Sequence, residues 1–107
     1  MEGSIRITKL ADKTIITLRG LLDQELAFNL MGTANKTQPP IALNFKQVPY
    51  VTAAGSSAIL NFYQLHKQKP EIQDPNPDIV SLFNLIGTSR YIELLPDQNE
   101  KKNTLQE

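Results

Sequence analysis

The chain of 107 residues has no cysteine, no tryptophan and a single histidine. Without cysteine there are no disulfides and no thiolate metal sites, which fits a cytoplasmic address. One histidine excludes a cluster of imidazole ligands, so no metal and no cofactor is expected. Net charge is also lacking: eleven basic side chains cancel eleven acidic ones. No broad positive field is then available to gather nucleic acid or anionic lipid. No apolar run approaches the ~18 residues of a membrane span, so no membrane insertion is expected. The opening "MEGSIRITKL" lacks the order of a signal peptide. Gly20, Gly32, Gly55 and Gly87 are isolated, and none begins the G-x-x-x-x-G-K of a phosphate loop.

What remains is ordinary globular chemistry, 40% apolar and 21% charged, enough for one core and one domain. "SIRITKL" and "KTIITLRG" read as strands joined by the short turn "ADK". Asp23 then caps a helix whose Leu26, Ala27, Leu30, Met31 and Ala34 recur at helical spacing, until Pro39 and Pro40 forbid its continuation. "IALNF" is a third strand. A second helix follows from about Thr52, with Gly55, Ala58, Ile59, Phe62 and Leu65 inward and Leu60 and Tyr63 widening the stripe. "KQKPEIQDPNP" holds either a very short strand around Glu71 to Gln73 or only a loop. In the third helix Asn76 is the cap, Pro77 suits the first position and Gly87 is the stop, with Ile79, Leu82, Phe83 and Ile86 inward. "RYIELL" is the last strand. Residues 1–95 form the domain and 96–107 a polar, solvated tail. Helices alternating with strands predict an α/β sandwich: a mixed, mainly parallel sheet of four to five strands under three main helices.

The unusual stretch is "YVTAAGSSAIL", residues 50–60. It opens a helix with small residues only, where a polar cap alone would serve. Either this turn packs tightly beneath its own protein, or another molecule must come close to it.

Three segments resemble the STAS family, the sulfate-transporter and anti-sigma-factor-antagonist domain. "RGLLD" is similar to that family's lead-in to its first helix. "IALNFKQVPYVTAAGSSAIL" resembles its central strand and the Asp-Ser-Ser-Gly turn into its second helix. "PDIVSLFNLIGTSRYIEL" resembles its third helix, glycine stop and final strand. The resemblance covers roughly residues 4 to 95, and departs from the family in lacking an apolar fourth strand. It implies a switch in which the unphosphorylated domain binds an anti-sigma factor that is also a kinase. Phosphorylation of the second serine then ends binding. In this chain Thr52 stands for the aspartate, Ala53 for the first serine and Ala54 for the phosphoacceptor, and only Gly55 is kept. Alanine has no hydroxyl to esterify, so the usual phosphorylation cannot occur at Ala54.

The resemblance therefore implies a non-catalytic domain that binds a regulatory partner through Thr52, Ala53, Ala54, Gly55, Ser56 and Ser57, with Asp23 alongside. The alternative is a structural subunit of a larger assembly such as a lipid-transport ATPase complex. Ser57 and Thr52 are weaker candidates for a displaced phosphoacceptor. An enzyme finds no support: His66 lies roughly 13 Å along the helix from Ser57, beyond the reach of a nucleophile–base pair. A homodimer through a truncated sheet edge stays open, although charge and proline guard that edge.

Overall fold

The computed structural model describes residues 3–95, so the polar tail expected from Pro96 lies outside the described residues. Among them the order is β1 (Ser4–Lys9), β2 (Thr14–Arg19), α1 (Gln24–Ala34), β3 (Ile41–Gln47), α2 (Ala53–His66), β4 (Glu71–Gln73), α3 (Pro77–Ile86) and β5 (Glu93–Leu95). The strands lie side by side in sequence order. β1 and β2 form an antiparallel hairpin, and β2, β3, β4 and β5 run parallel. This is the mixed, mainly parallel sheet with three helices that the element order predicts.

Register decides which side chains meet. Ile16, Leu43, Ile72 and Leu94 form one cross-strand row. Ile16, Leu43 and Ile72, with Leu18 and Phe45, are buried against Leu26 and Leu30 of α1, Ile59 and Phe62 of α2, and Ile79 and Phe83 of α3 in a single core. Because side chains alternate along a strand, the neighbouring row falls on the opposite face: Ile15, Ala42, Glu71 and Glu93. That face is largely polar. Lys13 reaches Glu71 across it at 3.0 Å.

One-sided burial explains β4. The short strand is present, and its Ile72 is fully buried while Glu71 and Gln73 on the other face are not. A parallel strand covered on both faces reads as a continuous apolar run, but a three-residue strand covered on one face needs only one apolar side chain.

Four expectations are corrected. Met31, Leu65 and Ile86 are exposed. In α1 the buried row runs through Leu26, Ala27, Leu30 and Ala34 and leaves Met31 on its flank. In α2 the row through Gly55, Ile59 and Phe62 continues to His66, whose Nε2 lies 3.1 Å from the Ala34 carbonyl oxygen, so Leu65 turns outward. In α3 the last turn, with Ile86, extends past the layer that covers Ile79 and Phe83. The final strand also starts later than Arg90. Gly87 takes φ +87°, and a 3-10 turn, Thr88–Tyr91, returns the chain to the sheet. Tyr91 packs there on Tyr63 with ring centroids 5.3 Å apart.

No helix among the described residues is long and apolar enough to cross a membrane.

Candidate functional site

The three helices begin with side-chain caps of the kind the sequence predicts. Asp23 Oδ1 accepts from the Leu26 amide at 3.0 Å, Thr52 Oγ1 from the Gly55 amide at 3.3 Å, and Asn76 Oδ1 from the Ile79 amide at 3.0 Å. Each satisfies one of the amides that a helix start leaves without an internal acceptor.

The caps are tied together through the segment between β3 and α2. Leu22 bridges to Val51 in parallel fashion, its amide donating to the Tyr50 carbonyl at 3.1 Å. The Leu22 carbonyl in turn accepts twice from Thr52, from the amide at 3.1 Å and from Oγ1 at 3.0 Å. On the other side, Asn76 Nδ2 donates to the Pro49 carbonyl at 2.9 Å. The lead-ins to α1 and α3 thus clamp the lead-in to α2 from both sides. Parallel strands β2 and β3 both end here, so the clamp sits at the carboxyl ends of the strands.

The clamp answers the question that the small residues raise, and the two readings divide them. Gly55 belongs to internal packing: a Cβ there would lie 2.5 Å from the Leu22 carbonyl oxygen and 2.7 Å from Leu22 Cγ. Ser56 is buried as well, and Ala54 is half-buried against the core. Ala53 and Ser57, four residues apart and so on one helix face, are exposed. Thr52 and Asp23 are half-buried by their capping roles. The tip is held from beneath and open above, and the surface it offers consists of Ala53 and Ser57 with the edge of Ala54.

Of the weaker candidates for modification, Thr52 has its hydroxyl committed to the Leu22 carbonyl and the Gly55 amide, whereas Ser57 is exposed. Ser56 is unusual: its Oγ is buried and finds no hydrogen-bond partner among the described residues. An unsatisfied buried hydroxyl costs about 1–3 kcal/mol, and alanine is the better helix former. Ser56→Ala is therefore expected to raise the unfolding free energy by about 1 kcal/mol, read as a higher thermal midpoint. A lower midpoint would mean that the hydroxyl is satisfied in solution.

Sequence reasoning missed a crevice between the lead-in to α2 and α3. Tyr50, exposed, lines a shallow crevice with Leu82, Leu85, Asp78 and Ser81 of α3. Leu85 is 84% exposed. Its position off the inward stripe of α3 was the available signal. The contribution of the Leu22 carbonyl had no signal, because a backbone group carries none.

No protein-family model matches the chain, and no curated protein matches it in sequence. Solved structures do match. An anti-sigma factor antagonist from Mycobacterium paratuberculosis superposes with a TM-score of 0.75 at 12% identity, over 99% of this chain and 96% of that one. A putative anti-sigma factor antagonist from Thermotoga maritima gives 0.74 at 15% identity, over 96% and 95%. The Bacillus cell fate determinant SpoIIAA, in its phosphorylated form, gives 0.64 at 13% identity, over 95% and 99%. At such low identity the likeness lies in the path of the backbone. The chain is thus similar throughout its described length to anti-sigma factor antagonists, and its fold is that of a STAS-like domain.

Proposed function

We propose that this chain is a non-catalytic binding domain that docks a cytoplasmic regulatory protein, an anti-sigma factor with kinase activity, through the start of α2. The observation that carries the reading is the division of the tip: Gly55 and Thr52 lock it onto Leu22, while Ala53 and Ser57 face solvent. A rigid surface of small side chains lets a partner's backbone approach closely, and binding it immobilises few long side chains. The first-turn amides of Ala53 and Ala54 have no acceptor within the helix and suit a partner's carbonyl or carboxylate.

Ala54 sets the regulation in this reading. The phosphorylated relative carries a phosphate, a group of charge about −1.5 to −2. With Ala54 where the resemblance places the phosphoacceptor, the domain stays permanently in the binding-competent state.

Titration calorimetry with the cognate anti-sigma kinase tests this. Ala53→Asp and Ser57→Asp are expected to weaken binding about 100-fold, by burying an unpaired charge in the interface. Ala53→Asp leaves thermal stability unchanged or raised, since an acidic group at the first helical position complements the dipole. After incubation with ATP and the kinase, mass spectrometry should find no phosphate on the chain. Undiminished binding by both variants, or stoichiometric phosphate, would overturn the proposal. Co-purification with a transport ATPase subunit would place the domain in a structural assembly instead.

A further inference from the structure

We propose that the outer face of α1 pairs with the same face of a second copy of this chain, independently of the α2 tip. Two unrelated features lie one turn apart on that face. Phe28 is 77% exposed, a large aromatic ring left in water in mid-helix. Four residues on, Gly32 lies in the last turn of α1, although glycine is the poorest helix former after proline.

Nothing among the described residues requires that glycine. A Cβ at Gly32 would meet none of their atoms within 4 Å, and its φ is not positive. Gly32 is exposed, so neither packing nor backbone strain accounts for it. A glycine on an open helix face leaves a hollow into which a neighbouring side chain fits. Phe28 is a knob of matching kind, about 6 Å away along the axis.

A knob and a hollow on one face are complementary to the same face turned about a two-fold axis. With two copies of α1 antiparallel and the axis beside residue 30, Phe28 of each copy falls over Gly32 of the other. Met31, also exposed, flanks the contact. The charges agree with this register. Glu25 is the acidic residue of the first turn of α1, and Lys36, exposed, follows its end. Antiparallel pairing brings Glu25 of one copy beside Lys36 of the other, and does so twice. A single pair of short helices gives an area at the low end for specific interfaces, so the dimer is weak, with a dissociation constant on the order of 10–100 μM.

Sedimentation velocity from about 5 μM to about 1 mM tests the pairing. The weight-average mass of the wild type should rise with concentration toward that of a dimer. Phe28→Ser and Gly32→Leu should each weaken association by at least about tenfold. Gly32→Leu separates association from folding, because leucine is the better helix former and the monomer should melt no lower than the wild type. Glu25→Lys should weaken association, and adding Lys36→Glu should restore it. A wild type that stays monomeric throughout, or a Gly32→Leu protein that dimerises like the wild type, would overturn the proposal.

Discussion

Replacing Phe83 by alanine is expected to lower the unfolding free energy by about 4 kcal/mol, the largest effect anticipated for one side chain. Phe83 is fully buried and meets Phe45 edge-on, with ring centroids 6.2 Å apart and planes at 73°. Such a pair adds about 0.5–1.5 kcal/mol to the burial itself. The side chain matters more because α3 fully buries only Ile79 and Phe83. Half of that anchorage goes with the ring. In a domain of this size each kcal/mol shifts the thermal midpoint by about 4–8 °C, so a drop of roughly 15–30 °C is expected. The consequence extends to the candidate site, since Asn76 at the start of α3 holds the Pro49 carbonyl. A midpoint within a few degrees of wild type would mean that α3 contributes little to the folded state.

Glycine-to-alanine substitution is expected to have opposite effects in two helices. Gly55→Ala is expected to cost about 3 kcal/mol, although alanine is favoured in a helix over glycine. Its Cβ would press on the Leu22 carbonyl oxygen at 2.5 Å, and that oxygen cannot retreat without giving up both bonds from Thr52. Gly32→Ala places the same methyl group in open space and should gain about 0.5–1 kcal/mol. Denaturant unfolding of both variants reads the contrast directly. Equal stability of Gly55→Ala and wild type would mean that the tip is not locked onto Leu22.

Local chemistry was legible in the sequence because each signal is a single side chain with one backbone task. Asp23, Thr52 and Asn76 cap helices for the same reason that they are recognisable as caps. Gly87 stops α3 because its left-handed backbone suits glycine. The sheet was harder. Its short β4 hides among prolines, and only the register that places Ile72 between Leu43 and Leu94 makes it a strand. Helical periodicity also misassigned residues at helix ends: Ile86 because a stripe continues in sequence after the layer beneath it has ended, and Leu65 because the buried row runs on to His66 instead. For the candidate site, the sequence marked the run of small residues. It could not divide that run into Gly55 below and Ala53 with Ser57 above, because the division depends on a carbonyl of Leu22, more than thirty positions back along the chain from Ala53. The relation between Phe28 and Gly32 was not legible for a related reason: a knob and a hollow have meaning only once both are known to face solvent.

The central claim is that the start of α2 is presented to another protein, and amide hydrogen exchange on the complex with the cognate anti-sigma kinase tests it most directly. Protection gained on binding should centre on residues 52–60 and extend to residues 22–24 across the Leu22 clamp, with the polar face of the sheet unchanged. Protection confined to other surfaces, with exchange at residues 52–60 the same free and bound, would contradict it.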